Sequence, residues 1–242
     1  MVSQLESENK STIIYPESDG KPMADNTKQF RWITLIHGNL SWLFANNEMV
    51  FVAGDLLWYP VEGNPKITQA PDVMVIFGVP KGDQGSYKQW EEDNIAPQVV
   101  FEILSPSNTQ KEMSKKLLFY NRHGVEEYYI YDPDKNQLSG FLRSGEDLDV
   151  IDSMDNWESP RLGIRFDMSG EELQLYLPNG EIFQGIEQIK EQLQQKDKQL
   201  QQKDKQLQQK DEQLESIDQE KRKNFHAPGQ FSSFQGEVIV NY

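Results

Sequence analysis

The sequence predicts a mixed α/β domain with a partly parallel sheet, followed by a long charged helix. Two short apolar runs, 73–77 and 99–104, are typical of central strands covered on both faces. Helical spacing at 108–123 lies between the second run and another apolar run at 127–131. Such a strand–helix–strand unit joins parallel neighbours through a right-handed crossover. From residue 186 a seven-residue repeat replaces these patterns.

The N-terminal half predicts one helix and one long strand before the central runs. Apolar residues recur at helical spacing over 26–45, and Asp25 and Asn26 supply N-cap chemistry at its start. The apolar segment 49–59 predicts a strand. The polar segment 82–96 predicts a loop.

The C-terminal half predicts a meander and a hairpin. The helix at 108–123 ends at Gly124, as expected for a C-terminal glycine. Strands at 138–142 and 148–151 continue the sheet. Pro178-Asn179-Gly180 separates two further strand segments and indicates a hairpin turn.

Changes in composition divide the chain into four segments. We expect a disordered N-terminus at 1–14, one folded domain at 15–185, a charged coiled-coil helix at 186–223 and a disordered tail at 224–242. In the helix, QLQQKDK places the leucines on one line: Leu193, Leu200, Leu207 and Leu214. A stable two-stranded coiled coil has two apolar positions per heptad, and this repeat has one. A solvated single helix and a homodimer both remain open.

Composition excludes several classes of protein. Absence of cysteine excludes disulfide scaffolds, Cys-ligated zinc, iron–sulfur clusters and thiol nucleophiles. Three scattered histidines argue against a His-rich metal site. No apolar run has the length of a membrane span, and the N-terminus lacks the apolar core of a signal peptide. We therefore expect a cytoplasmic protein without a membrane partner.

The negative charge lies in the folded domain. Residues 190–223 contain nine Lys and Arg against eight Asp and Glu, so the remaining 15 basic and 31 acidic residues carry a net charge of −16. An acidic domain disfavours broad electrostatic binding to nucleic acid. Any such binding must be local.

Two carboxylates stand in or beside the apolar strands. Asp72 precedes the first strand, and Glu102 lies inside the second. A carboxylate inside an apolar strand is costly unless it is paired or ligates an ion. If the strands are neighbours, Asp72 and Glu102 converge. Two carboxylates, a backbone carbonyl and waters make an oxygen-only site suited to Mg²⁺.

The following helix adds basic side chains on two faces. Lys116 shares the apolar, sheet-facing stripe with Met113, Leu117 and Tyr120, and Glu112 lies one turn before it. A different face carries Lys111, Lys115 and Arg122, which we consider for phosphate contacts. Two alternatives stay open: the buried acids are structural partners of a lysine, and the second basic face is a solvated surface.

Several segments resemble the bacterial Uma-two family of restriction endonucleases in the PD-(D/E)XK nuclease superfamily. The matching segments are DGKPMADN (19–26), GDLLWYPVEGNPKITQAPDVMVIFGVPKG (54–82) and VVFEILSPSNTQKEMSKKLLFYNRHGVEEYYIYDP (99–133), together with the heptad tail. The resemblance implies a restriction-endonuclease-like core, a mixed sheet with flanking helices. Pro71-Asp72 matches the PD and Glu102 the (D/E). The superfamily's lysine position holds Leu104, and Lys116 stands where this family has its lysine.

The resemblance implies Mg²⁺-dependent hydrolysis of phosphodiester bonds, with Mn²⁺ as an alternative ion and DNA as the expected substrate. Asp72, Glu102 and the carbonyl of Ile103 are the implied ligands, and Lys116 completes the catalytic set. Asp25 and Glu112 are auxiliary candidates. The alternative is an inactive nuclease-fold protein that dimerises or binds a partner through its C-terminal helix; a purely structural coiled-coil adaptor is a third interpretation.

Overall fold

The computed structural model describes residues 13–225. In chain order the helices and strands are α1 (Thr27–Leu43), β1 (Val50–Gly54), β2 (Trp58–Tyr59), β3 (Val73–Phe77), β4 (Tyr87–Lys88), a short 3₁₀ helix (Gln89–Glu91), β5 (Val99–Ile103), α2 (Gln110–Arg122), β6 (Glu127–Asp132), β7 (Gln137–Ser144), β8 (Asp147–Val150), β9 (Arg165–Asp167), β10 (Gln174–Tyr176) and α3 (Ile186–Phe225). The chain divides into two compact units, Met1–Ile186 and Glu187–Tyr242.

A six-stranded mixed sheet with the order β1-β3-β5-β6-β7-β8 forms the centre of the first unit. Strands β5 and β6 pair in parallel, and the other neighbours pair antiparallel. Helix α2 connects the parallel pair. The mixed α/β class predicted from the sequence is confirmed.

Apolar side chains cover both faces of this sheet, because successive residues of its central strands point to opposite sides. One core combines Val73 and Phe101 with Ile33 and Ile36 of α1. The other combines Met74 and Val100 with Tyr120 of α2. Strands β3 and β5 are therefore continuously apolar in sequence, except for the charged residue Glu102 in β5.

The predicted strand at 49–59 is wrong in its length, because the chain turns at Asp55. This residue has a φ of 50°, in the left-handed region that Asp tolerates better than most side chains. Beyond it, β2 leaves the main sheet and pairs in parallel with β4. The predicted loop at 82–96 therefore contains a short strand and a 3₁₀ helix.

The predicted hairpin around Pro178-Asn179-Gly180 is confirmed in a short form: Tyr176 forms an antiparallel bridge with Ile182, and the N–H of Phe183 donates to the carbonyl of Leu175. Strand β10 also pairs antiparallel with β9, a pairing that the sequence did not predict. Pairing with β9 brings Phe166 and Leu175 together in the core on the α1 side. Burial of these side chains stabilises the β9–β10 pairing.

Helix α3 begins at Ile186, the last residue of the first unit, and continues through the second unit to Phe225. Its repeated leucines are exposed by 57–64%, since no other element of that unit between residues 13 and 225 packs on them. No helix in this described range is long and apolar enough to cross a bilayer. The expected disorder at 1–14 and 224–242 falls almost entirely outside the described residues.

Candidate active site

Strand register brings Asp72 and Glu102 to the same place. Val73 is paired with Phe101 across the antiparallel β3–β5 ladder. Continuing that register by one residue sets Asp72 opposite Glu102, and opposite residues in an antiparallel pair share a face. The two carboxylates thus lie on the α2 side of the sheet. Glu102 is 2% exposed and Asp72 is 8% exposed.

Helix α2 supplies the basic partner of this pair. The Nζ atom of Lys116 lies 2.7 Å from Oε2 of Glu102, and both side chains are largely buried. Burial opposes the ammonium charge, but the charges of Glu102 and Asp72 outweigh it and raise the pKa of Lys116 above its usual value. Lys116 therefore stays protonated at neutral pH.

Two tyrosines surround Glu102, and sequence reasoning did not identify their role. The fully buried hydroxyl of Tyr120 donates a hydrogen bond to Oε1 of Glu102. The Tyr128 ring lies 4.9 Å from the Tyr120 ring, and its buried hydroxyl has no hydrogen-bond partner among the described residues. Burial and the charge of Glu102 raise the pKa of both phenols well above the ordinary range. They act as neutral groups beside the carboxylate.

Asp72 is the carboxylate most affected by burial. Desolvation and the charge of Glu102 raise its pKa well above the ordinary value, against the opposing effect of Lys116. Its Oδ2 accepts a 2.6 Å hydrogen bond from the backbone N–H of Ile103. Within residues 13–225 its Oδ1 accepts no hydrogen bond, and this oxygen is free to take a cation.

The carbonyl of Ile103, an expected metal ligand, already has a protein partner. Gln29 of α1 reaches it through Nε2 at 2.8 Å, and Gln29 is itself buried. A carbonyl oxygen has two lone pairs, so this hydrogen bond leaves one position open. Gln29 was not identified from the sequence, because its partner lies 74 residues away in the chain.

The two auxiliary candidates have different positions. Asp25 accepts hydrogen bonds at Oδ2 from the hydroxyls of Ser105, at 2.6 Å, and Ser107, and these bonds lower its pKa. It therefore holds the 105–107 segment after β5. Glu112 makes no ion pair with Lys116 in the described structure, although its charge contributes to the raised pKa of that lysine.

Asp55 is a further acidic residue near the site. Its backbone N–H donates to the carbonyls of Pro71 and Asp72, so the turn after β1 abuts the start of β3. Burial raises the pKa of Asp55, and the charges of Asp19 and Glu102 raise it further. The left-handed turn that places it beside the site has no clear signature in the sequence.

An open cleft of about 380 Å³ lies beside Lys116. Its lining residues are Lys21, Gln69, Thr109, Lys111, Glu112, Lys115 and Lys116. Lys111 and Lys115 thus share a cleft, as their helical spacing predicts. Arg122 does not line it: this residue lies in the last turn of α2, about 16 Å along the helix axis from Lys111. Of the three residues on the basic face expected from the sequence, Lys111 and Lys115 line the cleft and Arg122 lies outside it.

The donor atoms of this site fit a hard cation such as Mg²⁺. No group of three or more His, Cys, Asp or Glu side chains in the described residues forms a metal cage. The available donors are two carboxylates, a backbone carbonyl and water, all oxygen, which is the set that Mg²⁺ prefers. The raised pKa of Asp72 supports this fit, because one lysine does not balance two buried carboxylates.

A family model agrees with the sequence resemblance. A family model described as "Uma2: Putative restriction endonuclease" matches residues 4–169. A crystal structure titled as a putative nuclease belonging to DUF820 from Anabaena variabilis is similar over 60% of this chain and 79% of its own, with 19% identity and a TM-score of 0.42. A search of curated proteins gives no match.

Proposed function

Because the chain belongs to the Uma2 family, described as restriction endonucleases, we propose that it is a Mg²⁺-dependent endonuclease that hydrolyses phosphodiester bonds of DNA. One observation carries this proposal: Asp72, Glu102 and Lys116 come from two strands and a helix, and they meet in one buried cluster. A purely structural role leaves the second carboxylate without a counter-ion.

The proposed mechanism assigns a separate task to each side chain. Asp72 and Glu102, with the Ile103 carbonyl, hold Mg²⁺, and Mn²⁺ fits the same oxygen donors. When bound, the ion lowers the pKa of water and neutralises phosphate charge. Lys116, kept protonated by its two acidic neighbours, orients the attacking water or stabilises the charge that develops on the phosphate. Tyr120 fixes the orientation of Glu102.

Contacts to the rest of the substrate come from the cleft beside Lys116. Lys111 and Lys115 are the proposed phosphate contacts. Local contacts of this kind suit a protein whose net charge is −15, because binding spread over its acidic surface is repulsive. We do not retain Arg122 in this set, because it lies outside the cleft.

A cleavage assay tests the proposal directly. Purified protein is incubated with supercoiled, linear and single-stranded DNA in Mg²⁺, in Mn²⁺ and in excess chelator. We expect cleavage that needs the ion and that is lost in Glu102→Gln and in Asp72→Ala. Asp149→Asn removes an exposed carboxylate on β8 and serves as the matched control. Cleavage that persists in both site variants, or no cleavage by the unmodified protein, contradicts the proposal.

The second candidate function is a catalytically inactive nuclease-fold protein that associates through α3. The exposed, regularly spaced leucines of α3 favour association, and the expected partner is a second copy of the chain. Calorimetric titration with Mg²⁺ separates the candidates. Binding that Glu102→Gln abolishes supports the nuclease, and absence of binding supports the inactive protein.

A further inference from the structure

The N-terminal segment 13–26, here called the strap, is anchored on both sides of the proposed active site. At its first anchor, the Tyr59 hydroxyl donates to the Pro16 carbonyl at 2.7 Å, and the Gly63 N–H donates to the Tyr15 hydroxyl at 2.6 Å. The Tyr15 ring also contacts the rings of Tyr59 and Trp90. Residues 13–16 are therefore attached to the β2 region.

The second anchor is Asp25, which binds the Ser105 and Ser107 hydroxyls next to the end of β5. Between the anchors the strap passes the cleft beside Lys116, and Lys21 lines that cleft. The course of the strap is thus fixed by contacts that lie outside the cleft.

Lys21, Lys111 and Lys115 converge on this cleft without an acidic partner. No carboxylate between residues 13 and 225 lies within ion-pair distance of any of the three, whereas six other lysine and arginine residues of the first unit pair with acids on its surface. Lys116 adds a fourth ammonium group, and Glu112 is the single acidic residue in the lining. Like charges repel one another, so this arrangement favours an anion in the cleft.

We propose that this cleft binds the phosphate next to the scissile phosphodiester and that Lys21 completes it from the strap. The inference rests on the proposed nuclease function and extends it to the substrate groove. Lys116 links the groove to the carboxylate pair, because it lines the cleft and contacts Glu102, and the strap and α2 supply most of the lining residues. The ligand class is a polynucleotide backbone, held through charge without base contacts.

Salt-dependent binding tests the inference apart from hydrolysis. The parent protein carries Glu102→Gln, so cleavage does not interfere, and its binding to a fluorescein-labelled DNA duplex is measured by anisotropy at several salt concentrations in Mg²⁺. Lys21→Gln, Lys111→Gln and Lys115→Gln are each added to this parent. Lys205→Gln, which removes the same charge from α3, is the matched control, and circular dichroism checks the fold of every variant.

We expect each cleft variant to bind several-fold more weakly and to reduce the slope of log K against log salt by about 0.9, the value of one lost phosphate contact. Lys205→Gln leaves both unchanged. If Lys21→Gln behaves like Lys205→Gln, or if the duplex does not bind at all, the inference is overturned. If binding depends on the lysines but the unmodified protein does not cleave DNA in the cleavage assay, the nuclease function is refuted and the phosphate-binding groove is not.

Discussion

The Nζ atom of Lys116 lies 2.7 Å from Oε2 of Glu102, although 14 residues separate them. The lysine reaches inward from a helix whose neighbouring lysine, Lys115, is exposed to solvent. A buried ion pair contributes little net stability compared with an apolar pair. Loss of one partner is costly, however, because the other charge then stays buried without a counter-ion. Two adjacent lysines in α2 therefore have different consequences when they are replaced.

We predict that Lys116→Ala lowers the free energy of unfolding by about 3 kcal/mol and abolishes cleavage, since Glu102 is left buried without its counter-ion. Lys115→Ala changes the free energy of unfolding by less than about 0.5 kcal/mol, as is usual for an exposed site. Urea denaturation measures both values. Equal losses in the two variants contradict the buried ion pair.

Tyr120 and Tyr128 offer a second matched pair. Tyr120→Phe removes the hydrogen bond to Oε1 of Glu102. Loss of such a group behind a metal ligand weakens the affinity for the metal by about 10- to 100-fold. It also lowers the free energy of unfolding by about 1–3 kcal/mol, because an acceptor is left unsatisfied. Calorimetric Mg²⁺ titration and urea denaturation measure these two effects.

Tyr128→Phe is the control, because it removes a buried hydroxyl that has no hydrogen-bond partner in the part of the chain that the structure describes. Burial of an unpaired hydroxyl is unfavourable, so this substitution is expected to leave stability unchanged or to raise it. It leaves the Tyr120–Glu102 hydrogen bond in place. A Mg²⁺ affinity that falls equally in both variants refutes the positioning role of Tyr120.

The buried carboxylate of Asp72 is expected to lower the stability of the protein, although the proposed activity requires it. Burial and Glu102 raise its pKa in the folded protein, so ionisation of this group opposes folding. This cost in folding free energy is absent below the ordinary pKa of an aspartate. It grows as the pH rises from that value to the raised pKa of Asp72 in the folded protein. We expect Asp72→Asn to raise the melting temperature of the metal-free protein at about pH 8. The expected gain in the free energy of unfolding is ~0.5–2 kcal/mol, the range of single stabilising substitutions.

The pH dependence checks this assignment. Toward about pH 3.5 the unmodified carboxyl is protonated in both folded and unfolded chains, so the advantage of Asp72→Asn disappears. Added Mg²⁺ raises the melting temperature of the unmodified protein and does not raise that of the variant. A stability difference that is constant over this pH range contradicts the raised pKa of Asp72.

The elements predicted correctly from the sequence are those whose local residues carry one clear structural signal. Thr27–Leu43 and Gln110–Arg122 form helices because apolar spacing and caps agree, with the side chains of Asn26 and Thr109 capping their first turns. Helical spacing also placed Lys116 on the inward face. Contacts between distant segments carry weaker local signals, so the pairings of β2 with β4 and of β9 with β10 were not predicted.

The same distinction separates the site residues that sequence indicates from those it misses. Asp72 and Glu102 are conspicuous because charge is rare beside apolar strands. In the sequence, Tyr120 looks like any other residue of the apolar stripe of α2. Its hydroxyl reaches Glu102 only because α2 packs over β5. Lys21 lies in a polar segment without periodicity, and its position depends on anchors at Tyr15 and Asp25.

The leucine line of α3 leads to a prediction about oligomeric state. Leu200 and Leu207 are 60% and 57% exposed, seven residues apart on one side of the helix. Self-association buries these side chains, and each buried leucine contributes about 1.5–3 kcal/mol. We predict that the 242-residue protein is a homodimer and that Leu200→Asp with Leu207→Asp converts it to a monomer, as measured by light scattering after size exclusion.

Gln202→Asp with Gln209→Asp is the matched control. It adds the same charge to the same helix, two residues beyond each leucine, where helical geometry turns the side chains about 160° away from the leucine line. We expect this variant to remain dimeric, because the substituted positions stay in solvent in either state. A monomeric mass for the unmodified protein at high micromolar concentration refutes the homodimer. Loss of the dimer in both variants points instead to electrostatic repulsion along the whole helix, and then the leucines do not form the interface.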